Sequence, residues 1–370
     1  MLIGVPREIK TEEHRVGLVP ATVRELVAHG HHVEVGKRAG EGAGIGDEEY
    51  VASGAQIVGA PERIFERAEL IVKVKEPLAA ERALLHQGQT IFTYLHLAPD
   101  RAQAQDLLRS RVTAIAYETV TDAAGKLPLL APMSKVAGRM APQIAANLLQ
   151  HFHGGRGILL GPIDRVPPAN VSILGGGTVG TIAAEVALGM GAAVTVATHS
   201  ARTAEQLTRR FDGCVRVIAA DQKTIEQLCI AADVVIGAVL VPGGAAPKLI
   251  STKTIAAMKR GAVLVDVSID QGGCSETSHP TTHSQPTYVV DGVVHYCVAN
   301  MPGAVPRTST FALNDATRPF VLALADKGIS RALQEDAGLR NGLNLRDGKV
   351  ICRAVADALG LPYAAPADAL

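Results

Sequence analysis

At 370 residues, 47% of them hydrophobic, the chain is long enough for two domains that each bury their own core. Thirty-six Lys and Arg balance 36 Asp and Glu, so no net field favours nucleic acid, an acidic polymer or a membrane surface. Aromatic residues make up 3% and Trp is absent, which removes the stacking platforms of single-stranded nucleic-acid binding, and no apolar run reaches the length of a membrane span. The five cysteines, Cys214, Cys229, Cys274, Cys297 and Cys352, are scattered and never form a CxxC pair. That usage fits a reducing compartment and a cytoplasmic protein, and the balanced charge points to small molecules and further copies of itself as partners.

Residues 2–5 read as a first strand, and short apolar runs then alternate with helical patterns. The patterns place helices over 21–29, 62–68 and 100–109 and strands over 33–35, 70–74, 90–95 and 113–117. This alternation predicts a mainly parallel sheet covered by helices. Ligands of such sheets gather outside the carboxyl ends of the strands. Arg15 lies in the loop after the first strand, Lys75 directly follows 70–74, and His96 directly follows 90–95. An Arg and a Lys hold a small carboxylate, and a His exchanges protons near neutral pH. Residues 122–134, with Gly125, Pro128 and Pro132, read as a crossing into a second domain.

That domain opens with a strand over 171–174, which runs into Gly175, Gly176, Gly177, Thr178, Val179 and Gly180, then a helical stretch over 182–190 and a second strand over 193–197. Strand, glycine turn and helix in this order mark a dinucleotide site. Gly175 permits the tight turn, Gly177 lets backbone N–H groups approach a pyrophosphate, and Gly180 lets the helix pack close to the strand. The second strand of such a unit normally ends in an acid that holds the ribose hydroxyls. Thr198 stands where that acid is expected. Losing the acid removes both the NAD-specific hydrogen bonds and the repulsion of a 2′-phosphate, while Thr198, Ser200 and Arg202 can donate to a phosphate. The cofactor is therefore expected to be NAD or NADP, the alternative being an NAD site weakened at the ribose.

Runs over 234–237, 252–259 and 262–267 continue the second sheet, Asp270 follows the last of them, and 302–306 reads as the return. The expected fold is α/β, with two Rossmann-like doubly wound domains and a cleft between them. A dinucleotide-binding domain, 129–305, is inserted into a discontinuous substrate domain, 1–128 plus 306–370. His29, His31, His32, His151, His153, His279 and His283 show no metal-ligand spacing, and no metal is expected.

Longer runs carry a family resemblance. They include Glu13-His14-Arg15-Val16, Val72-Lys73-Val74-Lys75-Glu76-Pro77, Leu95-His96-Leu97-Ala98, Val136-Ala137-Gly138-Arg139-Met140-Ala141, Asp270-Gln271-Gly272-Gly273-Cys274, and the stretch from Tyr296 to Pro306. Through these the chain resembles the alanine dehydrogenase family, which also includes the soluble nucleotide-binding part of proton-translocating transhydrogenase. The resemblance extends from Ile3 to about Pro366. It implies reversible oxidative deamination of L-alanine to pyruvate and ammonia, with Arg15 and Lys75 binding the substrate, His96 as general acid and base, and Asp270 assisting the carbinolamine and imine steps. It further implies cofactor contacts from Ser134, Val239, Leu240, Val298 and Asn300 beside the glycine turn, and a hexamer. Lys135 replaces an acid usual in the family; it either adds positive charge near phosphate or substrate or is a solvated residue.

Overall fold

A computed structural model describes residues 1–240 and 246–368. The chain forms two compact units, Met1–Met133 with Val305–Leu370, and Ser134–Ala304; residues 369–370 of the expected first domain lie outside the described residues. The stretch read as a crossing is a loop only in part, because the division falls within the helix Ala131–Leu148. The return falls between the short helix Met301–Ala304 and the helix Pro306–Lys327.

In the first unit, β1 (Leu2–Val5), β2 (His32–Gly36), β3 (Gln56–Val58), β4 (Leu70–Val72), β5 (Thr90–Thr93) and β6 (Thr113–Ala116) pair in parallel in the order β3-β2-β1-β4-β5-β6. The chain's last strands, β14 (Leu343–Arg346) and β15 (Lys349–Val350), extend the sheet antiparallel beyond β6. Leu70, Ile71 and Val72 are all fully buried, the unbroken apolar run that a strand covered on both faces requires. Ile64, Phe65, Ile91, Leu107 and Leu345 pack with Ile71 into one core. The strand order reverses between β1 and β4, so the connections after these two strands leave in opposite directions and open a crevice at their carboxyl ends. The helix Pro306–Lys327 closes this unit onto its own beginning. Thr310 Oγ1 accepts the Val16 N–H at 3.3 Å and Asn314 Oδ1 accepts the Val19 N–H at 3.1 Å, which pins the loop that carries Arg15.

The parallel strands of the second unit follow the same order. Its strands are β7 (Asn170–Leu174), β8 (Ala193–Thr198), β9 (Arg216–Ala219), β10 (Val234–Gly237), β11 (Val263–Asp266), β12 (Thr287–Val290) and β13 (Val293–Tyr296). Their order is β9-β8-β7-β10-β11-β13-β12, with only the edge strand β12 antiparallel among the described residues and the reversal between β7 and β10. Ala183, Ala184 and Ala187 line the buried face of the helix Thr178–Gly189 and let it sit close over Val171, Ile173, Val194 and Val196. The glycine turn thus lies at the reversal point of this sheet, as the Arg15 loop does in the other.

Candidate active site

In the first unit the three sequence-selected side chains follow β1, β4 and β5. Arg15 is 2% exposed, yet it remains charged because Glu13 faces it. Burial pulls its pKa down and the Glu13 carboxylate raises it by more, leaving it above the ordinary arginine value. The Glu13 oxygens accept from Arg15 Nε at 2.7 Å and Nη2 at 2.5 Å, and Oε1 also accepts the Arg15 N–H at 3.0 Å. Such a two-pronged grip fixes the plane of the guanidinium. Nη1 meets the Met133 sulfur at 3.1 Å. A cavity of about 670 Å³ opens beside Arg15, with Arg7, Lys10 and Lys37 also in its wall; Lys75 and His96 do not line it.

Lys75 is 9% exposed, its carbonyl accepting from Thr93 Oγ1 at 2.8 Å and its N–H donating to Glu8 Oε1 at 3.2 Å. His96 stands three residues beyond β5 in a left-handed backbone conformation, φ 49°, unusual for a residue with a Cβ. Glu118 holds it there by accepting the His96 N–H at 2.6 Å and the Leu95 N–H at 3.2 Å. The His96 ring stacks on Tyr94, with centroids 5.9 Å apart and planes 11° from parallel. Tyr94 is buried, donates its hydroxyl to the Leu129 carbonyl at 2.6 Å, and lies close enough to Arg15 for the two to interact electrostatically. Tyr94 and Thr93 therefore link the surroundings of all three residues.

In the second unit the glycine turn has the shape a dinucleotide needs. Gly175 has φ 116°, and a Cβ there would meet the Ala238 carbonyl oxygen at 2.4 Å; a Cβ on Gly180 would lie 1.9 Å from the Gly175 oxygen. At Gly177, by contrast, a Cβ would meet nothing within 4 Å. Gly177 is the N-cap of the helix Thr178–Gly189, and no side chain caps that helix start. This cradle fits the pyrophosphate of a nicotinamide dinucleotide. The helix starts four residues before the stretch read from hydrophobic pattern, because residues 178–181 carry little apolar signal.

Thr198 ends β8, is 6% exposed, and lies beside the cradle: a Cβ on Gly176 would come within 3.3 Å of its Cβ. Its Oγ1 accepts the Ser200 N–H at 3.4 Å, while Ser200 caps the helix Ala201–Phe211 by accepting the Thr203 N–H at 3.2 Å. Arg202, in the first turn of that helix, is exposed and makes no ion pair among the described residues. Val239 exchanges hydrogen bonds with Ser268 Oγ, Leu240 is 53% exposed, and Val298 is buried in the core. Ser134 opens the second unit and Lys135 next to it is exposed.

Asp270 is exposed in the short helix Val267–Gln271 and accepts the N–H of Asn300, itself left-handed at φ 64°, at 3.3 Å. The buried Asp266 at the end of β11 organises this loop, accepting from Ser268 N, Cys274 N and Ser278 Oγ at 3.1, 2.8 and 2.6 Å. Among the described residues no group of three or more His, Cys, Asp or Glu side chains is arranged to hold a metal ion. His29 and His31 both turn to Asp326, His29 Nδ1 at 2.9 Å and His31 Nε2 at 2.7 Å.

Glu8, Tyr94, Glu118 and Asp266 were not singled out as functional in the sequence. Glu8, Glu118 and Asp266 sit at or just past strand ends, so the rule that selected Arg15, Lys75 and His96 also reaches them. Tyr94 has no such signal beyond its place before His96.

Comparison with known proteins matches nearly the whole chain to one family. Residues 4–137 match the model of the alanine dehydrogenase/PNT N-terminal domain, and residues 141–353 that of the corresponding C-terminal domain. The chain is 56% identical over 363 residues to an alanine dehydrogenase of Halomonas elongata, covering 98% of each. A solved L-alanine dehydrogenase superposes with a TM-score of 0.93 at 49% identity, over 97% of this chain and 99% of that one. A transhydrogenase of Sinorhizobium meliloti shares the fold, with a TM-score of 0.82 at 21% identity over 96% of this chain and all of the other. The chain belongs to the alanine dehydrogenase/PNT family.

Proposed function

We propose that the chain catalyses the reversible oxidative deamination of L-alanine to pyruvate and ammonia, the first unit holding the amino acid and the second the nicotinamide cofactor. The observation that carries the reading is the set of Arg15, Lys75 and His96 at the carboxyl ends of β1, β4 and β5, in a chain matched end to end by alanine dehydrogenases. A bound nicotinamide would supply the hydride acceptor, or in reverse the hydride donor, for the alanine α-carbon. The remaining steps fall to the chain's own groups. Arg15, its plane set by Glu13, receives the substrate carboxylate on the edge that meets Met133, since a thioether is a weak acceptor readily displaced by a carboxylate. Lys75 donates to the carbonyl oxygen. After hydride loss, water adds to the imine carbon and gives a proton to His96; His96 returns that proton to the nitrogen, the C–N bond breaks to release ammonia, and the hydroxyl gives its proton to His96 as the C=O bond of pyruvate forms. Asp270 stabilises the cationic nitrogen and orients the water. Lys75→Ala and Arg15→Ala are expected to raise the KM for pyruvate at least tenfold while cofactor KM changes less than twofold; an unchanged pyruvate KM in both contradicts these roles.

The cofactor reading extends to NADP. No carboxylate ends β8, Thr198 lies beside the glycine cradle, and Arg202 brings an exposed cation to the same helix start. A 2′-phosphate at that helix N-terminus meets donors where the usual acid would repel it. Initial rates with NAD and NADP in parallel test this, and no measurable rate with NADP refutes it. The exposed apolar side chains Phe152, Leu159, Ile163 and Val166 support self-association, with a hexamer expected in sedimentation. All five cysteines are free, which supports a reducing, cytoplasmic setting. No helix among the described residues is long and apolar enough to cross a membrane.

A further inference from the structure

Behind Lys75 lies an ion network that the chemistry above does not use. Lys73 is fully buried, and its Nζ donates to Glu8 Oε2 at 3.1 Å and Glu81 Oε1 at 2.6 Å. Burial draws the Lys73 pKa down, but the two carboxylates raise it by more and keep the ammonium charged. Each carboxylate spends its second oxygen on backbone. Glu81 Oε2 accepts the Leu78 N–H at 2.8 Å, and Glu8 Oε1 accepts the N–H groups of Val74 at 2.7 Å and Lys75 at 3.2 Å. From the other side, the Tyr117 hydroxyl donates to the Lys73 carbonyl at 3.0 Å and the Thr93 hydroxyl to the Lys75 carbonyl at 2.8 Å.

Replacing such a buried ion set by apolar residues is often neutral for stability, so net stability is weak ground for its presence. Its geometry offers a better one. Glu8 comes from the end of β1 and grips the chain just beyond β4, spanning the point where the strand order reverses. Glu8 can hold that backbone only while its other oxygen is held, and Lys73 holds it. We propose that Glu8 and Lys73 are positioning residues that set the place of the Lys75 side chain in the substrate site. The inference rests on the reading of Lys75 as a substrate-binding residue.

The test is steady-state kinetics of the full chain, with pyruvate and reduced cofactor varied separately, for the parent, Glu8→Gln, Glu8→Asp and Lys75→Ala. Glutamine has one acceptor oxygen where glutamate has two, so Glu8→Gln loses either the Lys73 bond or the backbone bonds. A displacement of Lys75 by about 1 Å lowers kcat/KM for pyruvate roughly 10- to 100-fold, with cofactor KM within about twofold of the parent. Glu8→Asp keeps the charge and both oxygens, set back by one methylene, and is expected between the parent and Glu8→Gln, at about three- to tenfold in pyruvate KM. A folded Glu8→Gln with pyruvate kinetics within twofold of the parent overturns the proposal, provided Lys75→Ala loses pyruvate affinity as expected. If Lys75→Ala keeps the parent's pyruvate KM, the reading of Lys75 itself fails and the positioning role falls with it. Should Glu8→Gln not fold, Glu8→Asp decides alone, and a pyruvate KM within twofold of the parent overturns the proposal.

Discussion

Two glycines three residues apart in the same turn, Gly177 and Gly180, are expected to respond oppositely to a methyl group. At Gly177 the backbone, φ −77° and ψ −165°, is open to any residue, and an added Cβ meets nothing within 4 Å. Gly177→Ala therefore keeps the fold, and loss of chain freedom in the unfolded state stabilises it by about 0.4–1 kcal/mol. For a domain of this size that is a melting temperature unchanged or raised by roughly 1–4 °C. The same methyl occupies the space in front of the helix N-terminus, where the pyrophosphate is proposed to accept backbone N–H groups. Losing one charge-assisted bond, worth about 1.5–3 kcal/mol, weakens cofactor binding roughly 10- to 150-fold. At Gly180 a Cβ would lie 1.9 Å from the Gly175 carbonyl oxygen, far inside van der Waals contact. The helix must move away or the turn must deform, and overpacking of this kind costs about 1–3 kcal/mol. The expected fall in melting temperature is roughly 2–12 °C. Calorimetric unfolding and isothermal titration with reduced cofactor read the two effects separately. Parent-like affinity in Gly177→Ala would falsify the seat assigned to the pyrophosphate, and a parent-like melting temperature in Gly180→Ala would refute the close approach.

His96→Ala is expected to lower turnover by ~10² to 10⁴ with cofactor affinity within twofold, and near-normal turnover removes His96 from the mechanism. Thr198→Asp should improve NAD use and suppress NADP use, whereas Arg202→Ala should weaken NADP by about 1.5–3 kcal/mol and leave NAD nearly unchanged. Equal weakening of both cofactors by Arg202→Ala rules out a phosphate contact. Stability should also depend on pH through His295, whose pKa burial holds below the ordinary value of 6.5 despite the Val293 carbonyl and Asp266. As pH falls below 6.5 the unfolded chain takes up a proton that the folded one refuses, so stability declines until the folded pKa is reached. His295→Gln should flatten the melting temperature between pH 7 and 5, and an identical slope in variant and parent contradicts the assignment.

The parts of the molecule legible in the sequence are those where local pattern and tertiary role coincide. The strand before the glycine turn, the turn and the following strand obey one local rule, and β1, β4, β5 and β6 are apolar runs ended by polar residues. The two hairpins also carry a local signal. Asp291-Gly292 joins β12 to β13 and Asp347-Gly348 joins β14 to β15, all four residues with φ between 49° and 80°, the two-residue turn that Asp-Gly favours. The supports of the site were harder to read, since Glu8 and Lys73 lie 65 residues apart and nothing local marks an ion pair closed by the sheet. His29 and His31 likewise meet Asp326 only because the helix Pro306–Lys327 returns to the first unit. Strand order is a tertiary property too, so the matching order of the parallel strands in the two sheets has no counterpart in sequence similarity between the halves.

The central claim is tested most directly by incubating the purified chain with L-alanine and NAD or NADP and following the absorbance of reduced nicotinamide while pyruvate and ammonia are assayed. Reduced cofactor, pyruvate and ammonia should appear in equal amounts only when L-alanine is present, and adding pyruvate and ammonia to reduced cofactor should reverse the reaction. Absence of L-alanine-dependent reduction with both cofactors, in a folded protein that binds them, contradicts it.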